Sequence, residues 1–521
     1  MSQMVNQFSM VPTCNIPRNV FDRKHTWKGT IDSGFLYPVF FDEVLPGDTK
    51  KLNTTFFGRL STPFTAFYDN VYLNYQLYFV PNRLLWEHWP NFMGERKNPS
   101  DSIDYLVPTV KAGTTGFVRG GFFDYLSIVP GVKNSDVTSA CFYARAYNLI
   151  WNEWYRDENL QESVDVPIGD GPDNESMFPL LKRGKRGDYF TTCLPSPQKG
   201  PGVEIPLLGS APVGEFANGT FNAYVTGVSF TPNNNTGYPD SSAIHFNGVK
   251  RVSGPLYADL SEAAAPTINS MRQAIALQHF LERDARGGTR YIELILSHFG
   301  VQCPDYRLQR PEYLGGSTSR VIVSPIAQTS STDSVSPQGN LAAIATVEST
   351  GSGFTHSFTE HGVILGLACV YTDLTYQQGI DRHFLRKTRY DYFFPDLAHL
   401  GEQSVYNKEI YCQGNDVKGS DGLPVDDATF GYQERYAEYR YKNSYITGKF
   451  RSSDPQSLDI QHLAQEFSSL PTLSSSFIEE NPPLKRVLAV QDEPELFLDV
   501  FHDLKDIRPI PVYGTPGLRR F

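Results

Sequence analysis

The stretch VYLNYQLYFV, from Val71 to Val80, decides how the rest of the chain is read. Val71, Leu73, Tyr75, Leu77 and Phe79 alternate along it, the period of a strand with one face on a core. Tyr72, Tyr78 and Val80 make the other face partly apolar, so this strand is expected to be covered on both sides. Upstream, Phe35-Leu36-Tyr37 and Val39-Phe40-Phe41 flank Pro38, which implies an edge or bent strand. LPGDTKKL then turns at Pro46-Gly47. Residues 1–34 read as a polar, irregular arm with Arg18, Arg23, Lys24, His25 and Lys28 close together. Such an arm is either simply solvated or placed near nucleic acid.

Downstream, Asn82 caps an expected helix carrying Leu85, Trp86, Trp89, Phe92 and Met93, ending near Gly94. Strand regularity is lost from Arg96 to about Asn340. Ser139 to Asp157 reads as a helix, with Phe142, Ala146, Leu149, Ile150 and Trp154 on one side. Residues 209–254 are rich in Gly, Asn, Thr and Pro, a long loop without its own core. Strands return from Phe354: VILGLACVY (Val363–Tyr371) is a buried strand, and LFLDVFHDL (Leu496–Leu504) ends the regular structure. The expected organisation is a strand-rich part at 35–95, a long mixed insertion at 96–353 and a second strand-rich part at 354–521.

Composition sets bounds. The 521 residues carry 46 basic and 57 acidic side chains, a net charge of −11, which argues against wholesale coating of nucleic acid. The 42 Gly, 36 Pro, 29 Tyr and 35 Phe favour short strands joined by long loops. The six cysteines, at 14, 141, 193, 303, 369 and 412, include no CxxC pair, so no zinc or redox motif is indicated. Their dispersion suits a chain that folds reduced in a cytoplasm. MSQMVNQFSMVPTC has neither a charged n-region nor a continuous apolar core, so no secretory signal is read. No run of 18 apolar residues exists, and no membrane insertion is expected.

From Pro266 to Gly316 the pattern is helical. Met271, Ala274, Leu277 and Leu281 recur at three and four residues, and Thr267 or Asn269 caps the start. Gly287-Gly288 stop that helix by supplying φ > 0. Tyr291, Leu294, Ile295 and Phe299 mark a second helix that ends at Gly300. The pair is expected to be buried scaffold turned at Gly287 and Gly288, not a catalytic site.

This part of the chain also carries a resemblance. ERDARGGTRYIE (Glu282–Glu293) and SHFGVQCPDYRLQRPEYLGG (Ser297–Gly316) resemble the major capsid protein of gokushoviruses, small single-stranded DNA phages of the microvirus family. So do FTEHGVILG (Phe358–Gly366), DLTYQQGIDR (Asp373–Arg382), HLGEQSVYNKEIY (His399–Tyr411) and FGYQERYAEYRYK (Phe430–Lys442). DEVLPGDTKKL, TPF, the run from Asp69 to Glu95 and RPIPVYGTPGL (Arg508–Leu518) are similar too. The likeness covers nearly the whole chain and thins between Gly209 and Gly254. It implies a mainly β fold: the eight-stranded antiparallel jelly roll of viral capsids, with long inter-strand insertions containing a few helices. It further implies about sixty copies in a T=1 shell, assembled in the host bacterial cytoplasm into a virion. The implied partners are a circular single-stranded DNA genome, a small basic DNA-packaging protein and a host-cell receptor. The arm at 1–34 is then interior, and 209–254 is a threefold surface protrusion. Its candidate receptor residues are Phe216, Phe221, Tyr224, Phe230, Asn234, Tyr238 and Asp240.

Chemical motifs are few. His356, Glu360 and His361 are spaced H-x-x-x-E-H, which does not place two imidazoles on one metal as H-E-x-x-H does. No phosphate loop or nucleophile elbow is present. Arg186-Gly187-Asp188 and the Asn-x-Ser/Thr sites at Asn53, Asn174, Asn218 and Asn234 are chance matches without export. No catalytic residue, metal or cofactor is expected. Two segments interleave cations with rings, the composition that binds single-stranded nucleic acid. RHFLRKTR supplies Arg382, Arg386, Lys387 and Arg389; residues 435–451 supply Arg435, Arg440, Lys442, Lys449 and Arg451 beside Tyr436, Tyr439, Tyr441, Tyr445 and Phe450. The bland alternative is an edge strand with its rings inward and its charges wet. At the level of the whole protein, a carbohydrate-binding spike or adhesin shares the composition but normally shows repeats or an export signal. A polysaccharide-degrading enzyme needs two carboxylates ~5–10 Å apart across a cleft, which no spacing indicates.

Overall fold

The computed structural model describes residues 17–132, 138–203, 213–215, 256–258, 268–329, 332 and 337–513. The chain divides into one unit formed by 1–197 with 287–521 and a second formed by 198–286. In chain order, the longer strands of the first unit are β1 (Asn19–Asp22), β2 (His25–Ile31), β3 (Tyr37–Val44), β4 (Thr49–Leu60) and β5 (Val71–Pro81). They continue with β6 (Glu312–Arg320), β7 (Ile322–Ala327), β8 (Leu341–Ser357), β9 (Gly362–Thr372), β10 (Glu402–Tyr406), β11 (Thr429–Glu434) and β12 (Leu496–Arg508).

Two antiparallel sheets dominate. One has the order β1-β12-β4-β8-β7, with β2 also paired to β12; the other has the order β6-β5-β9-β3. In β4 every second residue is buried, from Lys50 through Leu52, Thr54, Phe56 and Gly58 to Leu60, so its inward face is fixed by period 2 alone. Across β4 and β12, Leu52 lies opposite Leu504, Phe56 opposite Val500 and Leu60 opposite Leu496. These residues pack with Leu73, Tyr75, Leu77, Phe79, Ile364 and Ala368 of the other sheet into one core.

The second sheet is covered on its far side too, as the two-sided reading of Val71–Val80 expects. Tyr78 and Val80 of β5, with Val363, Leu365, Leu367 and Cys369 of β9, pack on Trp86, Phe122, Phe123 and helix α1 (Phe142–Trp154). All eleven residues of β9 are buried. The helix read at Ser139–Asp157 is therefore present, trimmed at both ends. Arg145 of α1 is fully buried and grips Asp173 with two bonds of 2.8 and 2.9 Å, a fork that leaves neither charge unpaired.

Several expectations are corrected. Residues 19–22 and 25–31 are strands rather than irregular arm, and Arg23 is held by Asp42 at 2.8 Å and Asp506 at 2.6 Å. Strands resume at Glu312 rather than at Phe354. The run EYLGGSTSR hid β6 because Gly and Ser carry little strand signal, yet Gly316 is required there. A Cβ on Gly316 would sit 2.3 Å from the Tyr75 carbonyl oxygen. The single helix expected from Asn82 is two short turns, Asn82–Leu84 and Trp89–Phe92, with Pro90 starting the second.

The helices around Gly287-Gly288 are α2 (Ile268–Arg286), in the second unit, and α3 (Tyr291–Phe299), in the first. Neither has a buried residue, so the burial expected of them is not met within one chain. Gly288 takes φ +96°, and Gly300 ends α3 at φ +68°. Gly287 does not take a positive φ. Pro266, Thr267 and the stretch 216–254 lie outside the described residues, and with them Phe216, Phe221, Tyr224, Phe230, Asn234, Tyr238 and Asp240.

Candidate nucleic-acid interface

The connection between β9 and β12 carries both cation-and-ring segments, and the fold brings them together. Neither is mainly strand: within them only Ser444-Tyr445 is one. Residues 382–391 wind through 3₁₀ turns at Arg382–Phe384 and Arg389–Asp391; 435–451 does so at Ala437–Tyr439 and Gly448–Phe450. The entry to the second segment is Tyr436 at φ +63°, a conformation that bulky residues rarely adopt. It is held by burial, by its N–H donating to Gln403 Oε1 at 3.1 Å and by its hydroxyl donating to the Tyr390 carbonyl at 3.2 Å. Underneath lies a third apolar cluster of Tyr189, Phe190, Tyr376, Val405, Ile410, Phe430 and Phe477.

Thr375-Tyr376 pair in parallel with Ser444-Tyr445, and between the segments opens a cleft of about 440 Å³. Tyr189, Phe190 and Tyr376 line it, as do Arg382, His383 and Phe384 from one segment. Tyr441, Lys442, Asn443, Tyr445 and Arg451 join from the other. Gly379 lets the wall close: a Cβ there would lie 1.9 Å from the Glu409 carbonyl oxygen.

The nine candidate cations divide into two groups. Arg382 donates to Glu409 and to the Ser404 carbonyl, both at 2.7 Å. Lys442 donates to Asp381 at 2.8 Å, Arg386 reaches Glu438 at 3.4 Å and Arg440 pairs with Glu434. Those four are largely spent on the protein's own carboxylates. Burial pushes the Glu409 carboxyl above the ordinary range, against the pull of Arg382. Burial also opposes ionised Asp381, yet hydrogen bonds from Lys442 and from His383 hold it below the ordinary range. The other five, Lys387, Arg389, Arg435, Lys449 and Arg451, form no ion pair among the described residues. Lys387, Arg389, Lys449 and Arg451 are exposed.

Rings stand among these charges. Phe384, Tyr390, Tyr392, Phe393, Tyr439 and Tyr445 are exposed. Arg386 lies 5.0 Å from the Tyr392 ring and 4.6 Å from that of Tyr439, and Arg389 lies 4.8 Å from that of Tyr390. Arg389 on the exposed Tyr390 ring offers a stacking face and a phosphate contact in one place, whereas Arg386 is held by Glu438. The sequence reading missed Glu409, Glu434, Glu438 and Asp381, which halve the free charge. Glu434 and Glu438 were in plain view between the cations, whereas Glu409 comes from a distant segment.

The residues of the discounted metal spacing are separated: His356 lies 3.8 Å from Glu312, Glu360 pairs with Arg83 at 2.6 Å, and His361 packs on Trp89. Asp188 of the Arg-Gly-Asp tripeptide accepts from Tyr376 at 2.6 Å and from the N–H groups of Phe190 and Thr191. No described helix is long and apolar enough to cross a membrane.

Comparison with known proteins gives one answer along the whole chain. Residues 9–518 match the model of the capsid protein (F protein) family of phages. The chain is 44% identical to capsid protein VP1 of Chlamydia phage 1, over 100% of this chain and 98% of that protein. It is 44% identical to capsid protein VP1 of Bdellovibrio phage phiMH2K, over 98% and 97%. It is 36% identical to capsid protein VP1 of Spiroplasma virus 4, over 99% and 98%.

Proposed function

Because this chain belongs to the phage capsid protein (F protein) family, we propose that about sixty copies of it close into a T=1 icosahedral shell around circular single-stranded DNA. It is a major capsid protein, a structural and non-enzymatic component of the virion, and copies of it assemble into the shell. The two stacked sheets are its jelly roll. Strand order supports this: with β2, β3, β4, β5, β6, β8, β9 and β12 counted one to eight, the sheets run 1-8-3-6 and 2-7-4-5. That is the alternation of a chain rolled up across two antiparallel sheets. The long excursions then follow the fourth strand and the seventh.

The surface between Arg382 and Arg451 lies on the inner wall and meets DNA without sequence preference. The observation that carries this is the meeting of both segments, with exposed Lys387, Arg389, Lys449 and Arg451 forming no ion pair among the described residues and Arg389 lying on the exposed Tyr390 ring. The net charge of −11 leaves most of the genome's charge to other partners, here a small basic packaging protein. Particles are assembled in the host cytoplasm. Replacing Lys387 and Arg389 together by Ala should lower DNA retention and reduce the salt slope of release by about two, one per lost phosphate contact. Unchanged retention and slope, or a map placing both residues outside the shell, refutes the placement. The stretch 209–254 rises at the threefold axes to meet a host receptor. Shortening 231–241 is expected to leave shells intact and impair adsorption; shells that fail to form, or that adsorb like the parent, count against it.

A further inference from the structure

We infer that the outward face of α3 is a contact between copies of this chain in the shell: a second copy covers Tyr291, Ile292, Ile295, Leu296 and Phe299. The inference rests on the coat-protein reading above and deepens it, from assembly in general to a surface that assembles. At about 100° per residue those five side chains share one side of the helix, an arc of roughly 140° that contains no polar residue. Glu293, Leu294 and Ser297 take the opposite side. An ordinary surface helix turns its apolar side to the core and its polar side to water. In α3 the apolar side faces out. Tyr291, Leu296 and Phe299 are 69%, 52% and 78% exposed, and Ile292 and Ile295 are half-buried. Val301 and Tyr306, just past Gly300, add two more exposed side chains of the same kind.

Both ends of this segment are anchored. At its start Arg290 pairs with Glu158 and donates to the carbonyls of Asn152 and Arg156 at 3.0 and 3.1 Å. Beyond its end Arg310 lies 4.3 Å from the Trp154 ring and pairs with Asp305 at 3.1 Å, while the Trp154 indole donates to the Pro311 carbonyl at 3.1 Å. The end of α1 and the turn after it thus hold α3 in place and leave its apolar face bare. A face fixed in advance loses little freedom when a partner docks on it. The occupant follows from the chemistry. The five side chains carry no charge, so neither a DNA backbone nor a basic protein finds a counter-ion among them. Copies of this chain, by contrast, meet one another in the shell. A stable contact takes roughly 800 Å² from each side, with a core of apolar and aromatic residues. The α3 face supplies such a core, though not the whole area.

The test compares the free full-length chain with assembled shells. Leu296→Cys is labelled with a maleimide, and mass spectrometry of the peptides separates that site from half-buried Cys303 and exposed Cys412. Labelling should be about tenfold slower in shells than in the free chain, because access limits the thiol. The protection should persist in shells emptied of their contents. Phe299→Asp should leave the urea midpoint of the free chain unchanged and lower shell yield about tenfold or more, the effect of a lost anchor residue. Phe299→Leu should assemble like the parent. Labelling at position 296 as fast in shells as in the free chain, or normal shells from Phe299→Asp, overturns the inference. Protection lost on emptying also overturns it, since the contents are then the occupant. So does a lowered urea midpoint for Phe299→Asp, which places the face against the chain's own residues. In each of these cases the parent still forms shells, and the inference falls alone. A parent chain that forms no shells brings down the coat-protein reading with it.

Discussion

Gly288 takes φ +96°, and a Cβ there would meet Glu293 Oε2 at 2.3 Å. Glu293 is occupied, since it accepts from the Arg290 N–H at 3.1 Å and so caps α3. Gly288→Val therefore costs about 1–3 kcal/mol in backbone strain and disturbs the cap as well. Less soluble protein is expected from Gly288→Val than from Gly287→Val, measured as folded yield; equal yields would contradict the assignment. Glu480 is a second residue whose cost is fixed by place. It is fully buried, and burial pushes its carboxyl to about 7 against the charges of Arg183 and Lys185. In the unfolded chain it titrates near 4.5, so between those values the folded state holds the extra proton. Stability from this group is complete below about pH 4.5 and falls as pH rises through 7, by about 3 kcal/mol at most. Urea unfolding at pH 5 and pH 8 should show that loss in the parent and little of it in Glu480→Gln. An equal loss in both would assign the pH dependence elsewhere.

At the scale of the element, neighbouring residues of β4 make a clean comparison. Phe56 is buried between the sheets, opposite Val500 and 4.8 Å from the Tyr75 ring, whereas Phe57 points away from the core and is 56% exposed. Phe56→Ala should cost about 3–5 kcal/mol by cavity formation, and Phe57→Ala within about 0.5 kcal/mol in the unassembled chain, both read by urea unfolding. Similar losses would mean that the register is shifted by one. β5, β9 and β12 were legible because their side chains alternate or run continuously apolar, whereas the start of β4 was read as part of the turn LPGDTKKL. β2 was hidden by its polar outward residues, and β6 by Gly315-Gly316, whose value lies in close backbone approach and not in any side chain. The apolar spacing of α3 was read correctly as a helix and wrongly as core: Tyr291 and Phe299 stay exposed in one chain, and Leu294 and Ile295 are only partly covered. A periodicity tells that a face will be covered, not by what. The cations at 382–451 were legible as a group, but their partition into paired and free was not, because Glu409 and Asp381 reach them only through the fold.

For the whole molecule, the single chain is unfinished. Ile322 and Ile344 on the outward side of one sheet, and Phe299 on α3, are apolar and exposed in the single chain. A coat protein covers such surface against its neighbours, in interfaces of roughly 1,000 Å² or more. On the proposed function, the paired sheets supply the wall and the two long excursions supply what meets neighbours, genome and host. The central claim is that this wall carries the 382–451 surface on its inside. An electron-microscopic map of purified, DNA-filled particles tests it most directly. The account predicts closed shells of uniform size with sixty-fold symmetry, and density for nucleic acid against Arg389, Tyr390, Lys449 and the mouth of the cleft. Fibres, or shells in which that surface faces outward or lies bare of DNA, would contradict it.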